Sequence, residues 1–387
     1  MKEDFIVLGA DGIQGSILCR FLLEKGYSLL TADISNTRVN YFLSKYDKNI
    51  RFTFLDVRDF DRLLGFLQRS SCKIVINCVE SDWNFLITRA CLLTKKNCID
   101  LGSDFKTTIQ QFKLHNEFKK NKIIAITGCG SVPGIGNVML SFISRKFDSI
   151  KSIDVGFAWT SNIKKFVVPF SIESILDEYT QRAPYFKSGQ LRYIKPSKTI
   201  RTRQFRQVGI QRIFLADHPE TYTFFKYFKS WGLKNVRFFA GFPSHSEKVI
   251  KLLESFTLAQ KKPIFFEGKE IVPVRFFAQV LKRMKIPRGY KEWENLWVEV
   301  RGSKKRKRKI ILMECIVPPL KGWESAGCNI DTAFPAALIA EMVKYREINN
   351  FGVFAPEACV PPKLLLKRLT KYKFTFFENG RKINFSS

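Results

Sequence analysis

The first 130 residues alternate short apolar segments with helical segments, and this alternation restricts the fold more than any other feature of the sequence. The apolar segments have the dense hydrophobic character of strands that are buried on both faces. They cover residues 5–10, 27–35, 50–57, 73–79, 97–102 and 122–130. Helical segments separate them, which is typical of parallel strands joined by crossover helices. The sequence therefore predicts an α/β fold with a doubly wound parallel sheet.

Three glycines lie at three-residue intervals between the first predicted strand and the first predicted helix. The stretch VLGADGIQG places Gly9, Gly12 and Gly15 just before and at the start of a helix predicted over 13–23. Such a turn lets backbone N–H groups and the helix dipole approach a phosphate. The spacing GxxGxxG differs from the usual GxGxxG, with Asp11 near the expected middle glycine, so a purely structural turn is the alternative. In its context, we interpret the turn as the pyrophosphate cradle of a Rossmann sheet.

The second predicted strand ends in a carboxylate, Asp33, which lies 18 residues after Gly15. A carboxylate at this distance meets the adenosine ribose hydroxyls and repels a 2′-phosphate, which favours NAD over NADP. Arg38, a few residues further on, makes NADP the alternative cofactor. For one of the other predicted coenzyme contacts, Cys78, an inert core thiol is the favoured interpretation and a position near the nicotinamide is the alternative. Those other contacts are Asp11, Ile13, Gln14, Asp56, Val57, Asn77, Cys78 and Val79.

Ligands of such sheets bind beyond the carboxyl ends of the strands. Asp100 ends an otherwise apolar strand, and a carboxylate there is costly unless it is paired or faces the crevice. We therefore predict Asp100 either in the active site or in a buried pair.

The chain carries 65 lysines and arginines against 35 acidic residues, a formal net charge of +30. Such an excess favours nucleic acids and anionic surfaces by non-specific attraction. The basic residues are spread along the chain, however, and the dense block GSKKRKRK at 302–309 lies between strand-like segments. We interpret this block as the solvated loop of a hairpin, and a nucleic-acid or membrane patch is the alternative.

Nine cysteines are scattered without a CxxC pair, as expected for small core residues in a reducing compartment rather than for disulfides or a zinc site. No apolar run approaches the roughly 18–20 residues that span a membrane. The stretch MKEDFIVL lacks a signal-peptide pattern. We therefore expect a cytoplasmic protein without a bound metal.

The pattern changes near residue 150, where strands and helices no longer alternate regularly. We predict a second, α+β substrate domain built on antiparallel strands. The segment CNIDTAFPAALIAEMVKYREI returns to a helical period and is expected to pack back onto the first domain. The predicted units are 1–130 for dinucleotide binding, 131–327 for substrate binding and dimerisation, and 328–387 for the returning segment.

Several motifs occur in an order that resembles the saccharopine dehydrogenase-like family and, within it, the lysine 6-dehydrogenases. They are VLGADGIQG, INCVESDWNFLITRAC, NCIDLGSD, GCGSVPGIGN, FSIESILDEYT, SHSEK and GVFAPEACVPP, and they span nearly the whole chain. The resemblance implies hydride transfer between a nicotinamide cofactor and the amine or imine carbon of lysine, saccharopine or a carboxylated polyamine. We also expect a homodimer. The shifted glycine spacing and the unfamiliar region 195–232 leave the substrate open.

The resemblance also places the substrate contacts. It identifies 130–137 as the crossover into the active-site cleft, where Pro133 and Gly134 fix the turn. For Asn137, a purely structural role is the alternative. A solvated helix face is the alternative for the carboxylates of Glu173 and Asp177. The predicted substrate contacts are Gly102, Pro133, Gly134, Asn137, Tyr179 and Thr180.

The implied chemistry needs one acid/base group. His245 in SHSEK, at a predicted helix start, is the first candidate, with a capping or packing role as the alternative, and Asp100 is the second. We expect His115 to be exposed and His218 to lie in a loop. The arginines considered for a substrate carboxylate are Arg182, Arg192 and Arg237.

The leading hypothesis is therefore an NAD(P)-dependent oxidoreductase acting on an amino acid or its imine adduct. A non-catalytic NAD(P)-binding scaffold or redox sensor is the first alternative, and it predicts binding without turnover. An RNA- or membrane-associated protein is the second, and it predicts binding that fades steeply with salt.

Overall fold

The computed structural model describes residues 3–46, 48–102, 104–168, 171–281 and 283–385. In the first part of the chain, strands and helices alternate as predicted. The strands are β1 (Phe5–Leu8), β2 (Leu29–Asp33), β3 (Ile50–Phe54), β4 (Ile74–Asn77), β5 (Asn97–Asp100) and β6 (Ile124–Ile126). The helices are α1 (Ile13–Glu24), α2 (Val39–Tyr46), α3 (Phe60–Arg69), α4 (Asn84–Leu93), α5 (Phe105–Lys113), α6 (His115–Lys120) and α7 (Ile135–Ser144).

The remainder of the chain is richer in strands. Its strands are β7 (Ser149–Ser161), β8 (Ala183–Lys187), β9 (Gln190–Ile194), β10 (Arg201–Phe205), β11 (Gly209–Leu215), β12 (Asn235–Phe242), β13 (Ile264–Phe266), β14 (Lys269–Ile271), β15 (Glu292–Lys304), β16 (Lys307–Val317), β17 (Gly352–Phe354), β18 (Thr375–Glu378) and β19 (Arg381–Lys382). Its helices are α8 (Ile172–Thr180), α9 (Glu220–Phe228), α10 (Ser244–Ser255), α11 (Pro273–Leu281), α12 (Ile330–Lys344), α13 (Pro356–Cys359) and α14 (Pro362–Thr370).

A seven-stranded sheet has the order β17-β6-β5-β4-β1-β2-β3, and its strand pairs are parallel. The side chains of β1 and β4 are buried along their whole length, because helices cover both faces of the sheet. The chain order reverses between β1 and β4, which is where doubly wound sheets bind their ligands. The predicted parallel sheet is confirmed.

A ten-stranded sheet forms the second part, in the order β10-β11-β12-β7-β15-β16-β18-β19, with β8 paired to β12 and β9 to β8. The predicted α+β unit is confirmed, but the sheet is mixed rather than purely antiparallel. β12 lies parallel to β7, because the long connection that contains α8 and α9 acts as the crossover that parallel strands require.

The ten-stranded sheet has two different faces. Phe238 of β12 and Leu296 of β15 belong to the main hydrophobic core, which α7, α8, α9 and α12 share. Phe239 and Trp297, one residue further along each strand, belong to a separate cluster on the opposite face. We call these the inner and outer faces, and the inner face is the one that meets the first sheet.

The basic block at 302–309 differs from the predicted loop. β15 and β16 pair as far as Lys304 and Lys307, and only Lys305 and Arg306 form the turn, both with positive φ. The strands run this far because β7 pairs with β15 up to Ser303, after a register shift at Arg301/Gly302. Most of the block is therefore part of a long two-stranded ribbon.

The segment 328–387 contributes to both sheets. α12 packs against α1, with the rings of Phe21 and Phe334 stacked at 4.3 Å. β17 extends the first sheet beside β6, whereas β18 and β19 extend the second beside β16. Replacing a buried ring such as Phe334 by alanine typically costs about 3–5 kcal/mol, so this helix pair is a major link between the ends of the chain.

The nine cysteines are free thiols, and most of them are buried. Within the described ranges, no helix combines the length and the apolar character needed to cross a bilayer.

Candidate active site

The glycine turn forms a compact cradle at the amino end of α1. Gly9 has φ +75°, and an added Cβ there would lie 2.7 Å from the backbone of Cys78. An added Cβ at Gly15 would lie 1.9 Å from the carbonyl oxygen of Gly9. Gly12 differs, because its Cβ would meet only that oxygen, at 3.3 Å. The turn thus closes on itself at Gly9 and Gly15 and stays open at Gly12, where the free N–H groups of α1 suit a diphosphate.

Asp33 and Asp11 have different roles in this turn. The Asp33 carboxylate accepts hydrogen bonds from the backbone N–H groups of Asp11 (2.9 Å) and Ser35 (3.3 Å). Burial raises the pKa of Asp33, and these backbone donors oppose the rise. The carboxylate of Asp11 instead accepts from the backbone N–H groups of Arg38 (2.5 Å) and Val39 (2.9 Å), so it holds the loop after β2 rather than facing a phosphate.

Arg38 is fixed to the backbone of Asp11 in the same turn. Its guanidinium donates to the carbonyl oxygen of Asp11 at 2.7 Å. Arg38 and Asp33 thus bind the backbone of the same residue, Asp11, one at its carbonyl oxygen and the other at its N–H. The turn therefore holds both a carboxylate suited to a ribose and a guanidinium suited to a phosphate.

The other residues predicted near the coenzyme lie around the same strand ends. Asp56 is half-buried beyond β3, and its ion pair with Arg58 lowers the pKa of the Asp56 carboxyl. Val57 is buried in the smaller core of the first sheet. Ile13 packs against the main core, and Gln14 Nε2 donates to Asn329 Oδ1 at 2.6 Å, which ties the turn to the start of α12.

A chain of amides connects β4 to the loop after β5. Asn77 Oδ1 accepts from the N–H of Val79, Asn77 Nδ2 donates to Asn84 Oδ1 at 2.6 Å, and Asn84 Nδ2 donates to the carbonyl of Gly102 at 2.8 Å. Burial raises the pKa of the Cys78 thiol beside them. Since a thiol that stays protonated is a poor nucleophile, the geometry favours the inert role for Cys78.

Asp100 is the centre of a buried hydrogen-bond network. Its carboxylate accepts from the N–H groups of Gly102 (2.9 Å) and Gly128 (2.8 Å), from Thr127 Oγ1 (3.1 Å) and from Gln111 Nε2 (2.7 Å). Burial raises its pKa, and all four donors oppose the rise. The residue is 2% exposed. These contacts give Asp100 a positioning role, because it joins the loops that follow β5 and β6.

The turn at 130–137 is fixed by its own backbone. Gly134 has φ +137°, and an added Cβ would lie 1.8 Å from the carbonyl oxygen of Gly130. Asn137 Oδ1 accepts from the N–H of Gly134 at 2.8 Å, and Asn137 Nδ2 donates to Glu357 Oε2 at 2.7 Å. Asn137 is 1% exposed. Its amide therefore supports the turn, which corresponds to the structural alternative for this residue.

Two of the predicted substrate contacts lie on α8. Tyr179 is buried against Phe214 and Phe242, and its hydroxyl has no hydrogen-bond partner among the described residues. Burial raises the pKa of that hydroxyl. Thr180 Oγ1 donates to the carbonyl of Leu176 at 2.8 Å, as is common within helices, so its hydroxyl proton is already used.

A group of carboxylates from both parts of the molecule meets between the two sheets, and we call it the acidic rim. Asp82 and Asp104 follow β4 and β5, Glu173 and Asp177 lie on α8, and Asp217 follows β11. Burial raises the pKa of Asp217 to about 6, with a contribution from the charge of Asp104. Lys261 Nζ donates to Asp177 Oδ2 at 2.7 Å and also feels the charges of Asp82 and Glu173. In a chain of net charge +30, this is a local excess of negative charge.

The three histidines have different environments. His245, at the start of α10, lies 3.5 Å from Ser161 Oγ and beside the ring of Trp159. Burial, and then the charge of Lys164, lower the pKa of its imidazole. His115 is half-buried rather than exposed as predicted, because β17 passes beside it. The imidazole Nδ1 lies 3.0 Å from the carbonyl oxygen of Val353 and 3.1 Å from its backbone nitrogen.

His218 lies in the turn before α9 but is enclosed. Its ring stacks on Phe238 at 3.6 Å, and its nitrogens lie 3.5 Å from Glu178 and 3.4 Å from Glu220. Burial acts to lower the pKa of the imidazole, but the two glutamates outweigh it and raise the pKa to about 9. His218 is thus a buried cation between two carboxylates.

The arginines considered for a substrate carboxylate do not meet at the cleft. Arg237 forms a bidentate pair with Asp154 (2.7 and 2.7 Å) on the outer face, because its neighbour Phe238 occupies the inner one. Arg182 and Arg192 are exposed on the β8–β9 hairpin and its approach. Arg212 is instead near Tyr179 and pairs with Glu247 at 3.5 Å.

Two surface cavities lie outside the glycine turn and the acidic rim, although one of them borders Glu357, the partner of Asn137. One, of about 400 Å³, lies beside β3 and α3, and the other, of about 480 Å³, lies beside Glu357 and α14. Neither includes the glycine turn or the acidic rim. The candidate site is therefore defined by its backbone cradle and its converging side chains rather than by these cavities.

Comparison with known protein families identifies both parts of the chain. The model of the saccharopine dehydrogenase C-terminal domain matches residues 122–374. The chain belongs to the saccharopine dehydrogenase family. The model of the NAD dependent epimerase/dehydratase family matches residues 5–98 and, with the glycine turn, supports a nicotinamide cofactor at the first sheet.

Individual relatives agree with this assignment. Carboxyaminopropylagmatine dehydrogenase from Synechocystis is 22% identical over an alignment of 377 positions, which covers 94% of each chain. The apo structure of saccharopine dehydrogenase (L-Glu forming) from Saccharomyces cerevisiae matches with a TM-score of 0.74 at 12% identity, over 99% of this chain and 100% of that one. The yeast match shows the shared fold. The chain is therefore an oxidoreductase, a dehydrogenase of the saccharopine dehydrogenase type.

Sequence reasoning missed several groups at the cleft. Asp82 and Asp104 belong to quoted motifs, so their positions after strands were a usable signal. Asp217, Arg212 and the buried pair of His218 with its glutamates had no such signal, because their neighbours lie far away in the sequence.

Proposed function

We propose that the chain is an NAD(P)-dependent dehydrogenase or reductase that transfers a hydride at the carbon of a C–N bond in an amino-acid-like substrate. The observation that carries this proposal is the position of the glycine cradle, Asp33 and the acidic rim at the carboxyl ends of the parallel strands, the ligand edge of this architecture. Family membership supports the same class of reaction.

The cradle at Gly9–Gly15 would hold the diphosphate, and Asp33 the adenosine ribose. Bound there, a nicotinamide cofactor supplies or accepts the hydride. Asp33 favours NAD because its charge repels a 2′-phosphate, and Arg38 supports NADP as the alternative. Asp56, Val57, Asn77, Cys78 and Val79 line the remaining strand ends in this proposal.

The substrate in this proposal carries an amine close to a carboxylate. The acidic rim attracts the cationic part of such a molecule, and Lys261 at Asp177 shows how an ammonium group fits there. Arg212 on the inner face supplies a guanidinium for the carboxylate. Lysine, saccharopine and carboxylated polyamines are the candidates, in line with the name of the Synechocystis relative.

Among the acid/base candidates, His245 stays in the proposal because its lowered pKa leaves it neutral and able to accept a proton. Asp100, Gly102, Pro133, Gly134 and Asn137 support the substrate loops in this scheme. Tyr179 and Thr180 have no free polar contact to offer in this scheme beyond the Tyr179 hydroxyl, since Tyr179 packs in the core and Thr180 bonds within its helix. The division at residues 130 and 327, the homodimer and the cytoplasmic location also stay predictions.

Absorbance of the reduced nicotinamide tests the proposal directly. We expect turnover with at least one of lysine, saccharopine, carboxylated polyamines or amine–aldehyde mixtures, with NAD or NADP. Tight binding of the cofactor without turnover on this panel would instead support the non-catalytic scaffold. Binding to RNA or anionic vesicles that disappears at raised salt would support the third hypothesis.

A further inference from the structure

Two carboxyl groups face each other between the second sheet and the last long helix. Glu294 lies on the inner face of β15, and Asp331 lies in the first turn of α12. The two carboxyls form a hydrogen bond with each other. Asp331 is 3% exposed, and its Oδ2 finds no N–H or hydroxyl donor among the described residues. Ionised carboxylates only accept hydrogen bonds, so this contact requires that the pair hold a proton.

The surroundings keep that proton in place. Burial, the largest cause, raises the pKa of Asp331 to about 7 and that of Glu294 well above its usual range. The other groups that interact with the pair are the carboxyls of Glu292 of β15 and Glu178 of α8, whose charges raise its pKa, and the thiols of Cys315 of β16 and Cys328 before α12, whose pKa values it raises. None of these four groups carries a positive charge, so the pair releases its first proton near pH 7 as one unit.

A line of hydroxyl groups leads from the pair to the substrate loop. Thr332 Oγ1 lies 3.1 Å from Asp331 Oδ1 and 3.4 Å from Ser131 Oγ. Ser131 is half-buried in the turn after β6, where the strand ends face the ligand edge. On the other side of the pair, Asn329 is bound to Gln14 of the glycine turn. The pair thus lies between the cofactor cradle and the substrate loop.

We propose that the Glu294–Asp331 pair is the proton reservoir of the reaction and exchanges a proton with the substrate nitrogen through the hydroxyls of Thr332 and Ser131. This inference rests on the proposed function and assigns the proton transfer to this pair in place of His245. In the oxidative direction, an N–H bond of the substrate ammonium breaks and Ser131 takes the proton. Ser131 passes its own to Thr332, and Thr332 passes its own to Asp331. The neutral amine then loses its C–H hydride, with both electrons, to an oxidised nicotinamide cofactor and becomes an iminium ion.

The protonation of the pair gives opposite pH dependences in the two directions. Amine oxidation needs the singly ionised pair, so its kcat should rise as the pH increases through about 7. Imine reduction needs the neutral pair, so its kcat should fall through the same range.

The first experiment is carried out on the protein without cofactor or substrate, so it does not depend on turnover. Infrared spectra at pH 8 should show the carbonyl band of a protonated carboxyl. This band should grow as the pH is lowered through 7. In Glu294→Gln the amide can donate to Asp331, so the band at pH 8 should disappear. Glu314→Gln, on the same hairpin but paired with Asn295 and Arg206, is the matched control and should keep it. A wild-type chain without this band at pH 8 overturns the proposal.

The second experiment tests the hydroxyl line. Thr332→Val keeps the methyl group that packs near Gly130 but removes the hydroxyl, and should lower kcat by about 10²-fold, in the range of general acid–base effects, with the cofactor Kd and the infrared band unchanged. Thr332→Ser should restore most of the rate. Full activity of Thr332→Val overturns the proposal. So does a kcat that loses its pH dependence in His245→Gln but keeps it in Thr332→Val. Failure of the wild-type chain to bind either nicotinamide nucleotide would overturn the proposed function itself, and the infrared titration keeps the two failures distinct.

Discussion

The glycine turn of the first sheet and the inner face of the second sheet meet at one cleft but are built in opposite ways. The turn uses backbone: glycines, free N–H groups and one carboxylate, all within residues 9–33. The inner face uses ionisable side chains from β11, β15, α8, α9 and α12, which are distant in sequence. In the proposed function, the first region binds by shape, whereas the second sets charge and protonation. Substitutions should therefore act on affinity at the turn and on pH dependence, stability or KM at the inner face.

The largest expected effect comes from a substitution that disrupts the glycine turn but leaves the fold intact. Gly12 has φ −66° and ψ 168°, which any residue adopts, and its added Cβ would meet only Gly9 O at 3.3 Å. Gly12→Val should weaken nucleotide binding by about 10³-fold, or about 4 kcal/mol, with an unchanged melting temperature. Calorimetric titration with NAD and NADP and a thermal melt measure both.

The matched control is Gly15→Val, whose Cβ would lie 1.9 Å from Gly9 O. It should lose stability as well as binding, because the side chain meets backbone rather than the space for a ligand. Full NAD affinity in Gly12→Val would mean that the diphosphate lies elsewhere.

The second effect concerns His218 on the inner face and is a dependence of the free energy of unfolding on pH. The folded pKa of His218, about 9, lies above its unfolded value of about 6.5, so its stabilisation is complete below pH 6.5 and is lost as the pH rises through 9. The free energy of unfolding should fall by up to about 3 kcal/mol over this range. Denaturant titrations of wild type and His218→Gln at pH 6 and 9 measure it.

The difference between the two proteins isolates His218 together with Glu178 and Asp217, whose pKa values the imidazole lowers, because ionisable groups remote from His218 affect both proteins equally. A decline of the same size in His218→Gln would assign the pH dependence to those other groups. A flat wild-type curve would show that Glu178 and Glu220 do not hold the imidazole in its charged form.

The two regions also differ in what the sequence could predict. The parallel sheet, the glycine turn and Asp33 followed from local spacing, since glycines, strand ends and helix starts carry their signal within a few residues. The Glu294–Asp331 pair, the acidic rim and Arg212 depend on the order of strands in the mixed sheet, which no local pattern reports. The basic block at 302–309 was misjudged for the same reason, because pairing with β7 extends the hairpin strands to Lys304 and Lys307. His115 became half-buried only through the distant strand β17.

A smaller effect is expected on the preference of the glycine turn for NAD or NADP. Asp33→Asn keeps an oxygen for the N–H of Asp11 but removes the charge that repels a 2′-phosphate. The ratio of NADP to NAD affinity should rise about tenfold, or about 1.4 kcal/mol. Arg38→Gln should shift the ratio the other way. Competition titrations with both cofactors measure the ratios, and an unchanged ratio in both variants would place the ribose away from β2.

The smallest effect concerns the acidic rim. Asp177→Asn removes one of the carboxylates near Lys261 and should raise KM for a cationic substrate about fivefold at low salt, close to the 1 kcal/mol upper range of partly exposed ion pairs, with kcat and cofactor affinity unchanged. The increase should shrink as salt screens the rim. Asp148→Asn is the matched control, because it removes a similar pair with Lys304 (2.6 Å) far from the cleft. An equal rise in KM for both variants would attribute the effect to the net charge of the protein, and the rim would then have no part in substrate selection.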